Sequence, residues 1–175
     1  MSTWRFVACL VLMFCARPVG ADDAEIKKTA KAKATECQNA FVKGDYETFA
    51  DLTHPKAIED SGGRKKMVEG LAAEIKSLKA MGTEFKAVKM AEASDPVAAG
   101  KVLYICVPFT MEMSTPNGLV GVKSSLLGIS TDKGKTWLFV DAIAGRESLK
   151  KSFPDLPAAL VIPKNEPPTL IKGKE

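Results

Sequence analysis

From Ala24 to Lys43 apolar residues recur at Ile26, Ala30, Ala34, Cys37 and Phe41, spaced four, four, three and four, which is one face of a helix. Lys27, Lys28, Lys31 and Lys33 fall mostly off that stripe and form its solvated side. Gly44 ends the helix as a left-handed cap. Asp45 then serves as N-cap of a short helix through Tyr46, Phe49 and Leu52. His54 and Pro55 stop that helix, because proline biases the residue before it away from helical backbone. Lys56 to Asp60 reads as a short strand. Gly62 and Gly63 lead into a second long helix with Met67, Leu71, Ile75 and Leu78 on one face and Gly82 past its end. The Arg64, Lys65, Lys66 run at its start is a solvated first turn.

The period changes in the second half. Thr83 to Ala93, Lys101 to Ser114, Leu119 to Ser130 and Thr136 to Ile143 read as strands, with turns at Pro96 to Gly100, Pro116 to Gly118 and Asp132 to Gly134. Helices first and an antiparallel meander afterwards make an α+β arrangement with the helices on one face. In the second strand Leu103, Ile105, Val107, Phe109, Met111 and Met113 form one apolar face. Val102, Tyr104, Cys106, Pro108, Thr110 and Glu112 form the other. Both faces begin too apolar for an open surface, so this is a central strand, covered by helices on one side and by a dimer partner or the tail on the other. After Gly145 an amphipathic segment through Leu149 and Phe153 gives way to Pro154, Pro157, Pro163, Pro167 and Pro168. The prolines fix an extended tail, laid over the domain through Leu156, Leu160, Val161 and Ile162, with a disordered Lys and Glu end.

Residues 1–21 do not belong to that domain. One positive charge precedes the apolar run Phe6 to Ala16, and Arg17, Pro18, Val19, Gly20 and Ala21 follow. This is the pattern of a secretory signal peptide cleaved after Ala21; the apolar run of eleven residues is well short of the roughly 20 that a membrane-spanning helix needs. The expected organisation is therefore a signal over 1–21, an α+β domain over 22–153 and a proline-rich tail over 154–175, with the protein secreted or periplasmic and without a membrane span after cleavage. Of the 175 residues, 25 are Lys or Arg and 21 Asp or Glu. The signal removes Arg5 and Arg17, so the mature charge falls from +4 to near balance. A balanced surface gives no sustained field for nucleic acid or anionic lipid.

Cys9 and Cys15 leave with the signal, and Cys37 and Cys106 remain. In an oxidising compartment they form either a disulfide or two buried thiols that act as small hydrophobes. If they are bonded, Tyr104 and Glu112 turn toward the helices. If they are free, the Leu103 face is the better core and Tyr104 leaves the site. One histidine and two distant cysteines do not make a metal-ligand set. Ser130 to Trp137, STDKGKTW, matches the Asp-box pattern SxDxGxTW, specific as a local shape and silent about chemistry. Asp132 caps the turn, Gly134 supplies a positive φ and Trp137 packs where the next strand begins. A single copy and too few strands exclude a propeller.

The element order over residues 24–153, with the segment AFVKGDYETFADLTHPKAIEDSGG from Ala40 to Gly63, resembles the NTF2-like superfamily, also called SnoaL-like or cystatin-like cone proteins. In such proteins a helix ends at a glycine and an acidic residue, a short helix with an aromatic follows, and a His-Pro or similar breaker leads into the first strand. The resemblance implies a curved antiparallel sheet wrapped on a long helix, with a pocket at the open end of the cone and frequent homodimers. It does not settle function, because the superfamily holds isomerases, dehydratases, hydrolases and non-catalytic binding domains.

The residues do not supply a strong catalytic constellation. His54 is the chain's one histidine and could serve as acid or base. Asp141, beside Phe139 and Ile143 on an otherwise apolar face, is the second candidate, since desolvation there would raise its pKa. Tyr46, Tyr104 and Glu112 could complete a polar cluster in the pocket. Each has a structural alternative: a helix cap for His54, a bond to a neighbouring strand or loop for Asp141, and a core position for Tyr104. A steroid isomerase's Tyr and paired Asp set does not align onto this chain. No GxSxG, HExxH, P-loop or dinucleotide fingerprint is present, and neither a cofactor nor a metal is expected. The expected function is non-catalytic binding of a small molecule or protein partner, a homodimer being one arrangement. The alternative is a cofactor-free lyase, isomerase or hydrolase using His54 or Asp141.

Overall fold

The computed structural model describes residues 21–164 and 166–173. All but the last residue of the expected signal peptide lies outside them. The order of elements is α1 (Ala21–Lys43), α2 (Tyr46–Asp51), α3 (Pro55–Asp60), α4 (Arg64–Ala80), β1 (Glu84–Met90), β2 (Val97–Ala99), β3 (Val102–Thr115), β4 (Gly118–Ser130), β5 (Leu138–Asp141), α5 (Gly145–Ser152) and β6 (Thr169–Gly173). The fold is α+β, with the N-terminal helices packed against a six-stranded antiparallel sheet. The sheet runs β1-β3-β4-β5, with β2 extending the β1 edge of β3 and β6 pairing with β4. Among the described residues no helix is long and apolar enough to cross a membrane.

The stripe of α1 meets the sheet as its spacing predicts. Ala30, Ala34 and Cys37 are buried against Ile105, Val107, Phe109, Leu126, Trp137 and Phe139. Two alanines in succession let the helix axis come close, and the bulky partners on the strands fill the space they leave. Gly44 takes φ +81° at the end of α1, and the side chain of Asp45 accepts from the Thr48 amide to start α2.

Residues 56–60, expected as a strand, are helical. The Nδ1 of His54 accepts from the Lys56 amide at 3.2 Å, Pro55 occupies the first turn, and Lys56 pairs with Asp60 one turn on at 2.5 Å. A capping side chain, a proline where no N–H partner is needed, and an i,i+4 ion pair all favour helix over strand. The first turn of α4 is solvated at Lys65 and Lys66, and the half-exposed Arg64 makes ion pairs there as well. It bridges to Glu47 and Asp51, both at 2.7 Å, and ties α4 to α2. The Pro96 to Gly100 turn holds the short strand β2, whose Val97 and Ala99 pair with Tyr104 and Val102.

The far side of the sheet has its own core. Tyr104, Cys106, Leu127 and Ile129 are covered by Ala142, Leu149, Phe153, Leu156 and Leu160, so α5 and the first half of the tail form the second covering layer. Arg146 holds that tail, donating from Nη1 to the Pro157 carbonyl at 3.0 Å and from Nη2 to the Leu160 carbonyl. Val161 is 71% exposed and does not join the layer. The end at residues 174–175 lies outside the described residues, and a strand that the sequence did not suggest precedes it. Thr169–Gly173 forms β6 beside β4, and Lys123 pairs with Glu166 at 2.7 Å on the way.

The Asp-box segment is the turn that joins β4 to β5. Asp132 Oδ1 accepts from the amides of Lys135 and Thr136 at 3.1 and 2.9 Å, and Oδ2 accepts from the Thr136 hydroxyl at 2.8 Å. Those bonds hold its carboxyl down at about 2. The Trp137 indole donates to the Gly134 carbonyl at 3.1 Å, and the same carbonyl accepts from Thr29 on α1 at 3.3 Å.

Candidate functional site

Where α1 ends, the β3–β4 hairpin continues, and the covering of the sheet changes character. Gln38 and Phe41 follow Ala34 on the helix face that looks at the sheet. Phe49 comes from α2, Phe85 from β1, Phe109 and Met111 from β3, Val122 and Ser124 from β4, with Asp141 and Ile143 at the end of β5. Together they line a cavity of about 150 Å³. Strand register places these groups on one face. Phe109 lies opposite Ser124, Met111 opposite Val122, and Leu126 opposite Asp141. The Phe41 ring packs at 5.4 Å from Phe49 and 5.2 Å from Phe85, tilted by 50° and 66°. Such tilted arrangements direct ring edges onto faces and rigidify the wall.

Three polar side chains interrupt this aromatic lining. Gln38 is 3% exposed, yet its amide has no hydrogen bond to any of the described residues. Every side-chain nitrogen or oxygen that is wholly shut off from solvent has a partner among the described residues. The Gln38 amide therefore reaches the cavity space rather than a closed interior. Asp141 accepts through Oδ1 alone, from the Ile143 amide at 2.7 Å and the Ser124 hydroxyl at 3.4 Å. Its Oδ2 is left without a partner among the described residues. Asp141 keeps solvent contact at the cavity mouth, but the apolar side chains crowd its carboxyl. Desolvation therefore raises its pKa, against the lowering effect of the Ile143 and Ser124 bonds. The effect extends to Cys37, whose thiol is pushed up to about 12 by burial first and then by the charges of Asp141 and Glu36. Among the described residues no lysine, arginine or histidine lines the cavity.

The other residues singled out from the sequence lie elsewhere. His54 caps α3, with its ring edge-on to Phe153 at 5.0 Å. It does not line the cavity, and burial lowers its pKa. Tyr46 stacks edge-on to Phe41 at 6.3 Å but opens on a neighbouring hollow with Val42, Ile75 and Lys79. Tyr104 is buried in the far layer under the tail, where burial and then the charge of Asp155 raise its pKa. Glu112 is also on the far face, paired with Lys89. Cys37 and Cys106 are free and buried, one in each layer, so the sheet stands between them. Of the candidate set only Asp141 stands in the cavity.

Gln38 and Ser124 were not picked out by sequence reasoning, although a signal existed. Residue 38 is four after Ala34 and three before Phe41, a polar side chain on the apolar stripe. Ser124 alternates in the same way between Val122 and Leu126 on β4.

No protein-family model and no curated protein matches this chain.

Proposed function

We propose that the protein is an exported NTF2-like binding domain whose cavity, between the end of α1 and the sheet, takes one small molecule without chemistry of its own. The observation that carries this reading is Gln38. Gln38 is 3% exposed, and its amide, without a partner among the described residues, keeps its remaining contact through the cavity. A ligand with a hydrogen-bonding group supplies the partner that the protein does not. The cavity volume of about 150 Å³ suits a single ring or a short branched chain, since an apolar cavity of roughly that size accepts benzene. Four phenylalanines supply shape and dispersion, and the polar trio fixes orientation, the usual division of labour in small-molecule sites. The apolar run of residues 6–16 supports export, and the element order with its helices-on-sheet architecture supports the superfamily.

Native mass spectrometry of the protein recovered from its host's exported fraction tests this. The expected spectrum shows the subunit cleaved after Ala21 and carrying a retained small molecule. A subunit that is always free of small molecule but bound to another protein would overturn the small-molecule reading.

A second reading, cofactor-free acid–base catalysis, is favoured by one observation, the place of the Asp141 carboxyl in the cavity lining with only its Oδ1 engaged. It rests on Asp141 alone, because His54 has its Nδ1 engaged in the α3 cap. Under this reading Asp141→Asn abolishes turnover of a candidate substrate while leaving its binding intact. Under the binding reading there is no turnover to lose.

A further inference from the structure

We infer that the ligand of this cavity is a small organic cation, an ammonium group on a single-ring or short apolar body. The inference rests on the cavity being a ligand site, as proposed above, and adds the charge and class of its occupant.

Asp141 is the one ionisable side chain among the described residues of the lining. Its Oδ1 already holds the Ile143 amide and the Ser124 hydroxyl, whereas its Oδ2 is without a partner among the described residues. Asp141 is exposed at the cavity mouth with apolar side chains beside it and no countercharge, so a cation that docks there gains a charge partner that solvent screens only in part. An anionic ligand would meet the opposite situation, with a like charge at the mouth and no lysine or arginine to receive it.

The aromatic wall points the same way. Phe41, Phe49, Phe85 and Phe109 surround the space, and the negative face of an aromatic ring attracts a cation within about 6 Å of its centroid. A neutral apolar ligand would gain from burial on these rings but would leave Asp141 as it is. A cation gains from both. Gln38, with a carbonyl oxygen free to accept, adds a second acceptor for the N–H donors of an ammonium. Carboxylate, amide carbonyl and ring faces are all electron-rich, and the one unpartnered donor among the described lining residues, the Gln38 NH2, is neutral.

The probes are benzylamine, benzyl alcohol and benzoate, which share one ring and differ in charge, titrated at pH 7 into the full chain by isothermal calorimetry. Benzylamine should bind at least tenfold tighter than benzyl alcohol, and benzoate more weakly than either. Asp141→Asn should remove most of the amine's advantage while leaving benzyl alcohol within about twofold of the wild type. If benzyl alcohol or benzoate binds as tightly as benzylamine, the cation inference is overturned while the cavity reading stands. If none of the three binds, the cavity reading falls with it. The wild-type ranking decides the matter even if the Asp141→Asn protein does not fold. Should it fold and retain the amine's advantage, Asp141 is not the counterion and the inference fails.

Discussion

The carboxylate of Asp141 and the backbone N–H of Ile143 meet at 2.7 Å, so the chain turns out of β5 around a side chain that also faces the cavity. This double duty makes the site's charge part of the protein's stability. Because burial raises the folded-state pKa of Asp141 above its ordinary value of 3.8, the folded protein binds the proton more tightly than the unfolded chain. Its contribution to stability is then most favourable below 3.8 and declines as pH rises through the folded value. Asp141→Asn keeps an oxygen for the Ile143 amide and removes the charge. The variant should melt above the wild type at pH 7, and the difference should shrink to near zero at acid pH. Thermal melts of the two proteins across pH 3 to 8 check this. A variant less stable at pH 7 would show that the hydrogen bonds outweigh desolvation.

Asp132 predicts the reverse slope. Its carboxyl is held at about 2 by Thr136, Ser130 and Lys135, so its stabilising contribution is complete above 3.8 and is lost as pH falls toward about 2. Asp132→Asn should be less stable than wild type at neutral pH, with the gap closing on acidification. Parallel denaturant titrations at pH 6 and near pH 2 give the comparison. An unchanged gap would place its role in shape rather than charge.

Gly128 and Gly70 should respond in opposite directions to alanine. A Cβ on Gly128 would stand 2.8 Å from Ile105 Cγ2, 3.0 Å from Phe139 and 3.2 Å from Trp137. All three neighbours are buried in the α1-side core, where there is little room to yield. Overpacking of that kind costs about 1–3 kcal/mol. Gly70 lies within α4 with nothing near its added methyl, and alanine there should stabilise by about 1 kcal/mol through helix propensity. Urea midpoints of the two variants test both signs.

The tail is a structural layer, and Cys106 reports on it. Leu160 is 1% exposed, and Leu160→Ala should cost about 2–5 kcal/mol. Arg146→Ala removes both bonds to the Pro157 and Leu160 carbonyls. It should speed alkylation of Cys106, which lies under the tail, without comparable change at Cys37, which lies under α1. Peptide mapping after a timed pulse of alkylating reagent separates the two cysteines. Equal acceleration at both would mean that Arg146 supports the fold as a whole.

The α1 stripe and the two faces of β3 were legible because each is a long run with a single period, and burial on both sides of a strand reads directly as two apolar faces. Lys56 to Asp60 was misread for the opposite reason. Five residues carry no clear period, and the deciding terms were the His54 cap and a proline in the first turn, local bonds that compete well with weak strand propensity. The strand at Thr169 to Gly173 could not be read from the sequence, because that segment is exposed throughout and is specified by backbone bonds to β4. In the site, Asp141 could be found as a charge out of place on an apolar strand. Whether Tyr104 joined it depended on which face of β3 met the helices. Each cysteine lies on the stripe or face that was in question, and the sequence is compatible with either packing until the layers are placed.

Covering β3 with α5 and the tail also has a consequence for timing. The front of the central strand can be buried by α1, which is made first, but its back waits for Leu149, Phe153 and Leu160, more than forty residues further along than Cys106. Until that last stretch has left the ribosome or cleared a translocation pore, Tyr104, Cys106, Leu127 and Ile129 have no cover, and the sheet is open on one side. Closure of the fold is therefore coupled to completion of the chain, and the half-built sheet is the species that a holding chaperone would meet.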